Sequence, residues 1–259
     1  MNDARPIGVF DSGFGGLSVW RVLRERLPME SIVYLGDGAR CPYGSKSSSE
    51  VRRYAEEAVE RLLECRCKLI VVACNTATAI AIEHLRATYP EIPFVGLEPA
   101  VKPAALSTRS GVVAVLATRR SLEGEMFRTT AARYADRAQI LTAVGEGFVE
   151  IVEQNREDDE ASLEAVRRVV EPLVEAGADR IVLGCTHYPF LRRQIEHVIA
   201  GRDVEIIDSS EAVCRRVGVL LEEHCMCGNP LGVPHYDFIT FADEEYAARL
   251  RAKAYGDEL

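Results

Sequence analysis

Seven short runs of almost unbroken apolar residues set the limits on this chain: IGVF (7–10), SIVYLG (31–36), KLIVVA (68–73), IPFVGL (92–97), VVAVLA (112–117), RIVLG (180–184) and VEIID (204–208). A strand with one wet face alternates apolar and polar side chains, whereas a strand covered on both faces does not. Continuous runs separated by helix-length amphipathic stretches therefore predict an α/β protein with mainly parallel sheets and helices on both sides. Helix starts fall between the runs. Ser47 with Glu50 and Asp208 with Glu211 have capping-box spacing, and Pro90 and Pro93 bracket the end of the helix that follows Cys74.

The pattern is duplicated. VVACNT, ending at Thr76, and VLGCTH, ending at His187, share one design of apolar run, small residue, cysteine and polar followers, with the cysteines 111 positions apart. RPIGVFDS resembles SGVVAVLATR, and an Ile-Glu-His triplet follows each cysteine, at 82–84 and 195–197. Duplication predicts two similar α/β lobes with the site in a cleft between them. His84 and His197 fall well down their helices, where packing or surface roles are expected.

With 259 residues and 47% hydrophobic content, the chain can bury a core in each of two domains. Its net charge of −9 is spread along helix-like stretches, which disfavours nucleic-acid binding by clustered Lys and Arg. The opening MNDARP runs straight into IGVF, unlike a signal peptide, and no apolar run approaches the roughly 18 residues of a membrane span. A cytoplasmic location follows as an expectation, with the eight cysteines reduced. Cys65-Arg66-Cys67 and Cys225-Met226-Cys227, the latter beside His224, are tighter than the C-x₂₋₄-C pairs of zinc sites, so no metal is expected.

In open α/β sheets ligands bind beyond the carboxyl ends of strands, where helix N-termini offer free N–H groups. Asp11-Ser12-Gly13-Phe14-Gly15-Gly16 lies at such an end, with glycines for a tight turn and a Ser12 hydroxyl to hold a carboxylate or phosphate. A dinucleotide loop is the rival reading, since Gly13-Phe14-Gly15 and Ser18 nearly satisfy G-x-G-x-x-[GA] and Asp37 falls near the ribose position. Residues 36–44, Gly-Asp-Gly-Ala-Arg-Cys-Pro-Tyr-Gly, read as a loop over the same edge, with Tyr43 placed to close the cleft. Cys74 and Cys185 sit at expected strand-to-helix junctions, where the helix N-terminus lowers a thiol pKa. Two thiols facing one stereocentre suit removal of a proton from one face and delivery to the other.

These residues resemble the glutamate racemases of the cofactor-independent aspartate/glutamate racemase superfamily, through IGVFDSGFGGLSV (7–19), GDGARCPYGSKS (36–47), VVACNTATA (71–79), GLEPAVKPA (96–104) and VLGCTHYPFL (182–191). The resemblance implies catalytic thiols at Cys74, acting on D-glutamate, and Cys185, acting on L-glutamate. It implies auxiliary acids at Asp11, Asp37, Glu153 and His187. Substrate contacts are implied from Asp11, Ser12, Tyr43, Gly44, Asn75, Thr76, Thr118, Thr186 and His187. It also implies lobes of residues 1–98 plus 209–259 and 99–208, no cofactor, a homodimer, D-glutamate supply for peptidoglycan, and a cell-wall precursor as an allosteric ligand. Gly38 stands where such proteins commonly have threonine, and Val144-Gly145-Glu146 where they often have Cys-Pro. Aspartate racemisation and a dinucleotide-dependent oxidoreductase or nucleotide-binding module are the alternatives.

Overall fold

The structure is a computed structural model that describes residues 3–228 and 232–256. In chain order the first elements are β1 (Ile7–Asp11), α1 (Leu17–Arg26), β2 (Ile32–Gly36), α2 (Ser48–Glu64), β3 (Leu69–Val72), α3 (Asn75–Thr88) and β4 (Phe94–Gly96). They are followed by α4 (Val101–Ser107), β5 (Val112–Ala117), α5 (Arg119–Glu123), α6 (Glu125–Tyr134), β6 (Gln139–Val144), α7 (Phe148–Glu153), α8 (Glu160–Glu175), β7 (Arg180–Gly184), α9 (Arg192–Val198) and β8 (Glu205–Ile207). The chain ends with α10 (Ser210–Glu223), β9 (Tyr236–Thr240) and α11 (Glu244–Tyr255). It divides into two compact units, residues 1–97 with 210–259 and residues 98–209.

The first unit holds a five-stranded sheet of order β4-β3-β1-β2-β9, in which every pairing is parallel. β1, β2 and β3 are buried along their whole length, as their unbroken apolarity requires. The second unit holds a parallel four-stranded sheet of order β6-β5-β7-β8. Val113, Val115, Ala117 and Val182 pack there against Val101, Ala104 and Ala105 of α4 and Phe127 of α6.

All seven expected strands form, and two more appear. β6 and β9 are sheet edges that carry polar residues, Gln139 and Thr142 in one and Asp237 in the other, and neither is buried throughout. A rule that looks for unbroken apolarity passes over half-exposed edges. Ser47 and Glu50 make the expected capping box at α2. α10 begins at Ser210, and the Asp208 carboxylate accepts from Arg192 at 3.0 Å. All eight cysteines are free thiols. Cys67 is buried, which pushes its pKa up to about 12. Among the described residues no helix is long and apolar enough to cross a membrane.

At the amino edge of the first sheet, Lys68 Nζ donates to Glu30 Oε2 at 2.6 Å and to the Asp3 carbonyl at 2.8 Å, while Glu30 Oε1 accepts from the Gly228 N–H at 2.6 Å. Both side chains are buried. Lys68→Met fills similar volume but strands the carboxylate without its counter-charge. It should lower unfolding free energy by about 3–5 kcal/mol in a urea titration. In the second unit Asp179 accepts from Thr108 Oγ1 at 2.5 Å and from the N–H groups of Arg109 and Ser110 at 2.7 and 3.1 Å. Burial alone would raise this carboxyl, but the donors outweigh it and hold the pKa at about 2, below the ordinary 3.8. Because the folded value is depressed, its stabilisation is complete above about pH 4 and is lost as the pH falls towards 2. Asp179→Asn should therefore be less stable than the parent at neutral pH, with the gap closing over that window in pH-resolved thermal unfolding.

Candidate active site

In a parallel sheet all strands deliver their following loops to the same edge. β1 and β2 end in register at Asp11 and Gly36. After β1 the chain folds back so tightly that a Cβ on Gly16 would lie 2.6 Å from Asp11 Cβ and 2.9 Å from the Tyr34 hydroxyl oxygen, so only glycine fits. Asp11 is buried and its Oδ1 accepts from the Gly13 N–H at 2.8 Å; the Gly13 carbonyl accepts from Tyr34 at 2.7 Å. These bonds hold Ser12 at the end of β1, beside the end of β3.

Cys74 stands at the N-cap of α3, in extended conformation, with Asn75 and Thr76 as the first two helical residues. Its Sγ lies 3.7 Å from Ser12 Oγ, and both residues are buried. The structure thus brings together Asp11, Ser12, Cys74, Asn75 and Thr76, with the thiol at the positive end of a 14-residue helix.

The loop after β2 is fixed by charge. Asp37 is fully buried; its Oδ2 accepts from the Tyr43 hydroxyl at 2.5 Å and from Arg40 Nε at 2.6 Å, while Oδ1 has no hydrogen-bond partner. Burial raises the Asp37 pKa, against the opposing pull of the Tyr43 hydrogen bond and the Arg40 charge. Burial likewise raises the Tyr43 phenol, helped by the negative charge of Asp37. Tyr43 is buried, opens a 3₁₀ turn, and packs between Phe10 and Tyr54. An Asp37 committed to these partners is also ill suited to a ribose, which weakens the dinucleotide reading.

In the second unit Cys185 follows β7 directly and is buried. The helix expected there starts later: a 3₁₀ turn begins at Tyr188 and α9 only at Arg192. The helix-terminus argument therefore applies to Cys74 and not to Cys185. The second thiol has a different partner. Its Sγ lies 3.9 Å from His187 Nδ1, and His187 Nε2 lies 2.7 Å from Glu153 Oε1 on α7. An imidazole between a thiol and a carboxylate can carry a proton away from sulfur while the carboxylate fixes its orientation. Gly147, at φ +81°, turns the chain from β6 into α7, where Glu153 is the last residue. Thr186 is buried next to the thiol. Thr118 follows the neighbouring strand β5 and caps α5, accepting from the Ser121 N–H at 3.3 Å.

Residues 9–217 match the profile of the Asp/Glu/Hydantoin racemase family. The chain belongs to this family. A glutamate racemase from Roseiflexus sp. (strain RS-1) is 47% identical over 226 residues, which span 87% of this chain and 83% of that protein. Among solved structures, glutamate racemase isoform RacE1 from Bacillus anthracis superposes with a TM-score of 0.85 at 31% identity, covering 97% of this chain and 94% of its own. Escherichia coli glutamate racemase, solved in complex with L-glutamate and the activator UDP-MurNAc-Ala, gives 0.84 at 33% identity over 95% and 92%. The protein is an amino-acid racemase with the α/β architecture of these structures.

Two supporting side chains of this racemase had no assigned role in the sequence. Arg40 joins Asp37 to Glu57 and stacks between Tyr54 and Phe241, at 4.2 and 4.6 Å from their ring centroids. Tyr188 is fully buried against Phe148 and donates to the Gly145 carbonyl at 3.3 Å, which fixes the turn that carries His187. Arg40, three residues after Asp37 in a loop of turn formers, was the only cation available to neutralise it locally. Tyr43→Phe should raise the Asp37 pKa further, because it deletes a hydrogen bond that favours the ionised form. A carboxyl-carbon NMR titration that found it unchanged or lower would contradict this assignment.

Proposed function

We propose that this racemase interconverts L- and D-glutamate, with Cys74 and Cys185 as bases that work on opposite faces of the substrate α-carbon. The reading rests on one observation above all: each parallel sheet ends in a buried cysteine at the close of a strand, and each cysteine has its own polar partner, Ser12 for Cys74 and His187 for Cys185. A single base returns the proton to the face it came from, whereas inversion requires a second group.

In the L to D direction, Cys185 thiolate takes the α-proton and Cys74 thiol donates its own to the opposite face. Cys185 is then a thiol and Cys74 a thiolate, and the roles exchange in reverse. Between turnovers Cys185 passes its proton to His187, which Glu153 orients, and the Cys74 thiolate takes one back from water. The α-proton of an amino acid is a very weak acid, so the carbanion needs electrostatic support. The Ser12, Thr76 and Thr186 hydroxyls and the amides of the loop after Asp11 supply donors to the substrate carboxylate. The proposal calls for neither pyridoxal phosphate nor a metal.

Glutamate is favoured over aspartate by the L-glutamate bound to the E. coli relative; aspartate would need a shorter pocket. The activator in that same complex supports a cell-wall precursor as an allosteric ligand here, with D-glutamate supplied to peptidoglycan synthesis. A cytoplasmic homodimer completes the reading.

Incubation with L-glutamate in heavy water, after cofactors are stripped, should give deuterium at Cα together with loss of optical rotation. An unchanged sample would falsify glutamate racemisation. Cys74→Ser and Cys185→Ser should each cut turnover by about 10²–10⁴, since a hydroxyl is a far weaker acid. Hydrogen exchange without inversion should survive from the side of the remaining thiol. Full racemisation by either variant would rule out the two-base scheme.

A further inference from the structure

α11 packs on two loops: the one after β1, which the proposed function gives to the substrate, and the one after β2, where the resemblance to racemases puts substrate contacts at Tyr43 and Gly44. Tyr246 stacks on Phe14, with ring centroids 4.8 Å apart and planes at 19°. Phe14 is the buried centre of the loop after β1. The other side of the contact is backbone. A Cβ on Gly38 would lie 2.2 Å from Tyr246 Cζ and 2.4 Å from both Cε atoms, so the ring occupies the space that a side chain at 38 would need. One aromatic ring thus joins the loop at 12–16 to the loop at 37–44.

The rest of the segment reinforces this contact. Leu250 is buried, with both Cδ atoms 3.1 Å from where a Gly36 Cβ would be, at the point where β2 gives way to Asp37. Arg249 and Lys253 lie over the Phe14 ring at 5.2 and 5.6 Å, and Arg249 over Tyr246 at 5.8 Å. Phe241, just before the helix, covers the Arg40 guanidinium that holds Asp37. Asp243 accepts from the Tyr246 N–H at 2.9 Å and so fixes the first turn of α11.

We propose that Tyr246 is a positioning residue: its ring, wedged between Phe14 and Gly38, sets the distance between the two substrate loops and thereby substrate affinity. The inference rests on the function proposed above. It assigns no chemistry to Tyr246, and its effect falls on binding more than on proton transfer because Cys74 itself is carried by β3 and α3, although its partner Ser12 belongs to the first loop.

A steric cycle tests it. Gly38→Ala adds only the clashing carbon and should raise KM for both glutamate enantiomers at least tenfold, with kcat changed less. Tyr246→Ala should also raise KM, whereas Tyr246→Phe, which keeps the ring, should stay within about twofold of the parent. The double variant Gly38→Ala, Tyr246→Ala has room for the added carbon and should recover KM from Gly38→Ala by at least threefold. Amide exchange at residues 13–16 and 38–43 should rise in Tyr246→Ala and not in Tyr246→Phe. A parent-like KM in Gly38→Ala, or a double variant no better than that single one, overturns the proposal. If Gly38→Ala does not fold, the comparison of Tyr246→Ala with Tyr246→Phe decides it by KM and exchange. If the parent protein does not turn over glutamate, the functional reading fails by itself, and amide exchange alone judges the wedge.

Discussion

Parallel strand pairing is the constraint from which the chemistry of this chain follows. β1, β2 and β3 run the same way, so the loops after Asp11 and Gly36 and the N-terminus of α3 all emerge at one edge of the first sheet. β5 and β7 do the same in the second, where Thr118 and Cys185 follow paired strand ends. Strand burial on both faces stabilises each sheet at about 25 cal/mol per Å² of apolar surface. The polar side chains at the edges are free to be chosen for chemistry because the strands beneath them are held by Val, Ile and Leu.

Although the two cysteines occupy equivalent places, their surroundings differ in kind. Cys74 has a helix terminus and the Ser12 hydroxyl, a fixed electrostatic setting with no titratable relay among those two partners. Cys185 lacks the helix terminus and has the His187–Glu153 pair, which can take up and release a proton. Duplication explains the shared strand-end position, and the partners Ser12 and His187 differ between the halves. A scheme that treats the two directions of reaction as mirror images overlooks this inequality.

Most of the fold was legible because buried parallel strands announce themselves as unbroken apolar runs. β6 and β9 were not, since an edge strand needs only one dry face and tolerates Gln139, Thr142 or Asp237. At the site, residue type and strand-end position were enough to single out Cys74, Cys185, Ser12 and His187. The delayed start of α9 after Cys185 was invisible, because Thr186 and His187 read equally well as the start of a helix. The role of Tyr246 was hidden for another reason: it depends on a ring more than 200 positions from Gly38 in the chain, and a glycine in a turn-rich loop suggests backbone freedom rather than a space filled by something else.

The first unit is assembled from both ends of the chain, with the contiguous residues 98–209 between them. During synthesis, β2 is therefore left as the open edge of a four-stranded sheet until β9 emerges, and the helix that braces both loops is made after it. The intervening unit has all its strands in one stretch and can close its core before α11 has been made. Order of translation thus becomes order of competence: a nascent molecule would carry both thiols in place while its loops still lacked their brace, and tight substrate binding would have to wait for α11.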